Sequence, residues 1–382
     1  MAAALCLPLP AAAFADVRKA DVVLGQTVDA RGLSVAQCPS IDAEYALVMD
    51  AEGTVYFERN AQSPAQIASI TKIMTAVVAL DAVEAGETTL DAAIPVSAAA
   101  AAVGESSAGL QEGDVMDLET ALKALLVPSG NDAAVATAEA LGGSVEAFVE
   151  RMNEKAAELG CLDTVYENPH GLDYDQYAGD LHSTAADVAA VVRHAMENDV
   201  FRSIVSGGST DIAVVRDGAE ATIHLETTDG FLDVYEHAIG VKTGFTALAG
   251  PSFAGAADNG QRELYAIVIH SSSEAQRFED AKTLCEWVYE HLVSYPLANS
   301  PETTTYDGAE VPVVAEVAHE GWIDKTVKAT LSDPDAAVEI FDLNGNVSQT
   351  LSFEKLEGDV RAGDKVGTIT FKQRNEEIAT LD

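Results

Sequence analysis

Helical and strand-like segments are grouped along this chain rather than interleaved, and that grouping limits its fold more than any other feature. Residues 45 to 59 read YALVMDAEGTVYFER, two strand-like runs about a glycine-containing turn, which predicts a hairpin. A helical stretch follows from Ser69 to about Ala85. Leu118, Leu122 and Leu125 recur at i, i+4 and i+7, a second helix that must stop before Pro128. A third begins within SGNDAAVATAEAL, where Ser129 or Asn131 can cap it. Val145, Phe148, Val149, Met152 and Leu159 form an apolar stripe that ends at Gly160, and a further helix begins at Thr184. Then ATIHL, AIGVK, PSFAGAA and ELYAIVIH read as short strands, and residues 274 to 293 close the region as a helix. Helices in the middle with strands at both ends predict an α+β domain whose sheet joins N- and C-terminal segments.

Beyond it, residues 294 to 308, SYPLANSPETTTYDG, have the composition of a linker. VPVVAEV, TVKATL, VEIFDL and VGTITF then run at strand length between turn residues, which predicts a small all-β, sandwich-like domain over 297–382. A chain of 382 residues that is 48% hydrophobic can bury two such cores. At the other end, residues 2 to 15 are apolar and finish in Ala13-Phe14-Ala15, a small-x-small pattern before Asp16. Too short for a membrane span, residues 1–15 fit a secretory signal peptide without its basic start, so the protein is expected to be exported.

Charge excludes one class of partner. Twenty-two lysines and arginines against 62 acidic residues leave a net charge of −40, which repels the phosphates of a nucleic acid and predicts a solvated surface. No CxxC or HExxH motif is present, and the eight histidines are scattered, so no metal or other cofactor is expected. Cys38, Cys161 and Cys285 are expected as small buried residues, although one pair could join after export.

The chemistry concentrates in three short motifs. ASITKIMTA places Lys72 three residues after Ser69, so on a helix the amine lies beside the hydroxyl it could deprotonate. Such a base must be neutral, and burial with a second cation nearby favours that. PSGND offers the Ser129 hydroxyl and the Asn131 amide in a loop between helices. GVKTGFT offers Lys242 and Thr243 at the end of a strand, where Gly244 would let a ligand approach closely. Alone, each has an ordinary explanation: a helix cap for Ser129 or Asn131, a solvated strand end for Lys242. A Ser-x-x-Lys match arises about once by chance in a chain this long, and Ser352 to Lys355 is indeed a second one. Order decides between them. Ser69, Ser129 and Lys242 fall in sequence at separations of 60 and 113 residues, whereas Ser352 comes after Lys242 and in the β region.

Together the motifs resemble those shared by class A β-lactamases and penicillin-binding proteins. With ENPHGL, HSTAADVA and GVKTGFTALAG, the chain is most similar to the low-molecular-mass D-alanyl-D-alanine carboxypeptidases of the DacA type, over roughly residues 40 to 295. The resemblance implies a β-lactamase/transpeptidase-like catalytic domain, with an antiparallel sheet and helices, and a C-terminal β module. It implies Ser69 as the acylated nucleophile, Lys72 as its base and Ser129 as the route for the proton to the leaving D-alanine. Asn131 would hold the substrate, while Lys242 and Thr243 bind its terminal carboxylate. The N–H groups of Ser69 and Phe245 would form the oxyanion hole, and Arg277 would lie near the carboxylate. The implied substrate is a peptidoglycan stem peptide ending in D-Ala-D-Ala, with β-lactams as inhibitors. No apolar 20-mer or basic helix matches the family's membrane anchor, which leaves peripheral membrane or wall association. A β-lactamase would need a Glu-x-x-Leu-Asn loop, and ERMN at 150–153 is one residue short and sits in a striped helix. A catalytically dead wall-binding protein would have lost a motif residue, and none is lost. Endopeptidase or transpeptidase action of the same family stays open.

Overall fold

The computed structural model describes residues 20–322, 325–356 and 358–382 and divides into two compact units after Trp287. The apolar leader at 1–15, with Cys6, lies outside the described residues. In the first unit, strands β1 (Val22–Val23), β2 (Gln26–Thr27), β3 (Tyr45–Asp50) and β4 (Val55–Arg59) come from the N-terminal segment. Four more follow in the chain, β5 (Ala93–Pro95), β6 (Val115–Asp117), β7 (Thr210–Arg216) and β8 (Ala219–Leu225). The last three of this unit are β9 (Ala238–Gly244), β10 (Ser252–Asp258) and β11 (Glu263–Ile269). The large sheet has the order β2-β1-β4-β3-β11-β10-β9, and every pairing in it is antiparallel. The 45–59 hairpin forms as expected, and β3 against β11 joins the two ends of the unit. Asp280 reinforces that junction by accepting from the Asp42 and Ala43 N–H groups at 3.0 and 2.9 Å.

ATIHL does not join this sheet. It lies in β8, in a separate four-stranded sheet of order β5-β6-β7-β8. The reason is in its burial: β7 and β8 alternate between exposed and covered residues, a ribbon with one wet face, whereas β9, β10 and β11 are covered over most of their length.

Between the strand groups run the helices α1 (Lys72–Glu84), α2 (Leu118–Leu126), α3 (Asn131–Gly142), α4 (Val145–Glu158) and α5 (Ala185–Met196). Then come α6 (Asp199–Ser206), which precedes β7, and α7 (Gln276–His291), which follows β11. Helix α1 is apolar on all sides and its residues from Lys72 to Leu80 are buried, so it is the axis of the core. One charged side chain, Lys72, goes into that core with it. Helix α5 starts just after Thr184, within a residue of the predicted start, and Thr184 caps it by accepting from Asp187 N. Cys38, Cys161 and Cys285 are buried and form no disulfide.

The second unit is built of short antiparallel strands between Leu292 and Leu381. The stretch read as a linker contributes to it, because Leu292–Pro296 pairs with Ala337–Phe341 and Thr303–Tyr306 with Ala309–Pro312. Its proline, serine and threonine content reflects exposed strands and turns rather than an unstructured tether.

Candidate active site

Ser69 sits in a 3-10 turn, Ala68–Thr71, that runs directly into α1 with no side chain capping either element. The Lys72 N–H, first of the helix, bonds back to the carbonyls of the turn, so turn and helix are continuous. Ala68 has a φ of +48°, a left-handed conformation that costs a non-glycine residue on the order of 1 kcal/mol. Two glycines make room for this turn. A Cβ at Gly171 would collide with the Ala68 carbonyl, and one at Gly244 would stand 2.6 Å from Ile67 O. Gly244 thus serves the turn that carries Ser69, a reason different from the ligand approach its sequence position suggests.

Lys72, the first residue of α1, is fully buried. Its Nζ lies 2.9 Å from Ser69 Oγ, 2.7 Å from Asn131 Oδ1 and 2.9 Å from His170 O. Burial, and then the charge of Lys242, hold this amine well below the usual lysine range, with Asp132 pulling the other way. A neutral amine has two N–H bonds and one lone pair. The two carbonyl oxygens can only accept, so they take the N–H groups and leave the lone pair for the Ser69 hydroxyl. That arrangement suits a base.

Neither Ser129 nor Asn131 caps α3, because Gly130 occupies the N-cap position and Asn131 is already helical. Ser129 instead takes a φ of +65°, and its buried Oγ has no hydrogen-bond partner among the described residues. Asn131 is engaged on both amide atoms, Oδ1 by Lys72 and Nδ2 by Gly104 O at 3.0 Å. One N–H of Nδ2 is left for a substrate.

Lys242 is also buried, and its Nζ donates to Thr243 O at 3.1 Å. Burial lowers it to about 7, against Asp229 and together with Arg277. Thr243 shares a 2.7 Å hydroxyl contact with Thr228. Arg277 is 5% exposed, so it is not a surface arginine. Its Nη1 donates to Gly244 O at 3.3 Å, Nη2 lies 3.6 Å from Glu274, and Nε has no partner among the described residues.

Ser69, Ser129, Asn131, Thr243, Phe245 and Arg277 line one cleft of about 600 Å³, with Gly244 in its wall. Lys72 and Lys242 are buried and are not among the residues that line it. The other Ser-x-x-Lys match has no such setting. Ser352 lies on an exposed strand, and Lys355 is 79% exposed beside Glu320.

A family model described as D-alanyl-D-alanine carboxypeptidase, of the S11 peptidases, matches residues 33–273. The chain belongs to that family. The carboxypeptidase is 30% identical to D-alanyl-D-alanine carboxypeptidase DacD of Salmonella typhimurium, over 90% of this chain and 85% of that protein. Among solved structures it resembles the Streptomyces K15 DD-transpeptidase with a TM-score of 0.62 and 30% identity, over 66% of this chain and 98% of that one. The carboxypeptidase DacD of Francisella tularensis, 21% identical, shares the fold over 90% of this chain and 92% of its own, with a TM-score of 0.66. The fold is α+β and transpeptidase-like, with a β unit after it in the chain, and the protein is a serine peptidase whose family acts on cell-wall peptides and binds β-lactams.

Sequence reasoning missed four residues of this carboxypeptidase site. His170 offers a backbone carbonyl to Lys72, which no side-chain pattern can announce. Thr228 and Asp229 lie in the stretch before Lys-Thr-Gly, where no motif marks them. Burial pushes the Asp229 carboxyl up to about 7, against its bond from Phe231 N and the charges of Lys242 and Arg277. Asp132 follows the Ser-x-Asn motif directly and has no signal beyond that adjacency. Among the described residues no cluster of metal ligands occurs, and no helix is long and apolar enough to cross a membrane.

Proposed function

We propose that the protein removes the terminal D-alanine from peptidoglycan stem peptides through an acyl-enzyme on Ser69. Lys72 takes the Ser69 proton as Oγ bonds to the penultimate carbonyl carbon. As the C–N bond breaks, that proton returns through Lys72 and Ser129 to the leaving amine. The N–H groups of Ser69 and Phe245 hold the oxyanion, since donors aimed at developing charge are worth several kcal/mol. Water then releases the acyl group by the same path. The observation that carries this reading is the set of three oxygens around Lys72 Nζ: two can only accept, so a neutral amine would give them its N–H groups and keep its lone pair for the Ser69 hydroxyl. The chemistry lies within residues 40–295, the β module of residues 297–382 takes in the preceding strand Leu292–Pro296 as well, and residues 1–15 direct export to the cell wall, the periplasm or the outer face of the membrane.

Two assays test it. A peptide ending in D-Ala-D-Ala should lose one D-alanine per turnover, with an added amine diverting a minor share of product. A chain that transfers to the amine and scarcely hydrolyses would instead be a transpeptidase, the activity named for the Streptomyces K15 neighbour.

Arg277 supplies selectivity for the free carboxylate, because a planar guanidinium adds a second donor to an anion that Thr243 reaches through one hydroxyl. Arg277→Ala should lower kcat/KM on the free-acid peptide by about 2 kcal/mol, roughly thirtyfold, as for other hydrogen bonds to charge. The C-terminal amide should lose far less. Equal losses on both substrates would mean that Arg277 supports the wall through Gly244 and does not read the carboxylate.

A further inference from the structure

Helix α3 carries a carboxylate that the mechanism above does not use. Asp132, its second residue, is 3% exposed, and both oxygens accept hydrogen bonds. Oδ1 takes Ala108 N at 3.0 Å and Ala133 N at 2.9 Å, while Oδ2 takes Ser107 Oγ at 2.6 Å and Leu110 N at 3.2 Å. Three of the four donors are backbone N–H groups, so the side chain serves as an acceptor throughout. Among the described residues no lysine or arginine forms an ion pair with it. Its charge is held by neutral donors and stays available to act across the site.

The loop it grips is the one that holds Asn131. Ser106 O accepts from Asn131 N at 2.8 Å and Gly104 O from Asn131 Nδ2 at 3.0 Å. Between those two carbonyls Glu105 has a φ of +59°, a left-handed conformation strained for a non-glycine residue. Asn131 Oδ1 in turn accepts from Lys72 at 2.7 Å. A continuous path of bonds therefore leads from Asp132, through residues 104–110 and Asn131, to the amine.

Three groups bear electrostatically on Lys72. Lys242 on β9 opposes its protonation, Asp132 on α3 favours it, and His170 gives a carbonyl while its ring stays neutral, held down to about 3 by burial and by Lys72. Asp132 is thus the negative charge among them.

We propose that Asp132 is a positioning residue for acylation: it holds Asn131 against Lys72 through the 104–110 loop, and its charge sets the strength of that amine as a base. The inference rests on the reading of Lys72 as the base of Ser69.

The test is the rate of acylation by a fluorescent penicillin, measured from acid to neutral pH on the full chain, with a melting curve for each variant. Removing the charge makes Lys72 easier to deprotonate. Asp132→Asn should therefore move the acid limb down by about half a pH unit or more. Its plateau should fall roughly tenfold, because the base is weaker and less well held. Asp132→Ser, a smaller neutral residue at the same helical position, should shift the limb likewise and guards against misfolding of the first variant. Ser107→Ala keeps the charge and loosens the loop, so its plateau should drop a few-fold with the limb in place. A wild-type limb that both neutral variants leave unmoved overturns the role of the charge, as does a limb that moves in Ser107→Ala. An unchanged plateau in all three overturns the role of the loop. A wild-type profile with no acid limb would sink the reading of Lys72 itself, a result distinct from the others.

Discussion

Lys72→Arg should acylate at least about a thousand times more slowly than the wild type, within the range expected for loss of a general base. The reason is protonation as much as shape. Burial, and then the charge of Lys242, hold the wild-type amine well below its usual range, so acylation rises with pH through that depressed value instead of through the ordinary lysine range. A guanidinium does not deprotonate in a protein, so no pH brings back a lone pair toward Ser69. The larger group must also fit a fully buried slot with three fixed partners. Stopped-flow labelling by a fluorescent penicillin measures the loss, and a melting curve confirms that the variant is folded. Retention of more than a tenth of the wild-type rate would assign the base to another group.

Ser69→Ala should show no covalent labelling at all, at any time or concentration of penicillin. Peptide mapping of the labelled wild type should find the adduct on the peptide containing Ser69 and leave the one containing Ser352 unmodified. The contrast is informative because both serines stand three residues before a lysine. Ser352 lies in a strand that ends at Phe353, and Lys355, beyond that end, is solvated. At Ser69 a helical turn brings the two side chains to 2.9 Å. Labelling that persists in Ser69→Ala would mean that the nucleophile lies elsewhere.

Much of this was legible before any coordinates. Apolar runs at strand length and helical repeats are local signals, so the 45–59 hairpin, α2, α4 and α5 stand where the sequence predicts them. The candidate residues were legible because a three-residue spacing on a helical turn puts Lys72 beside Ser69, and because motif order sets that Ser-x-x-Lys apart from the one at Ser352. The assignment of ATIHL to a second sheet was not legible, since a strand's partner depends on what covers its two faces. Nor was the strand content of 294–308, whose polar, proline-containing composition fits exposed strands and loops equally well.

Residue types, their order and their local periods were set by the sequence alone: which serine, which lysines, and an α+β domain closed by its two ends. The state of those residues was decided by the tertiary structure. What suits Lys72 to the role of a base is the convergence of three groups distant in sequence (Asn131, His170 and Lys242) on a buried amine, two accepting from it and one opposing its charge. Burial and field depend on every neighbour at once, and no local pattern encodes their sum. The same holds for Arg277, which beside Glu274 in the sequence could be any helix-surface arginine and in the fold is covered, bonded to Gly244 O and turned toward the cleft it lines.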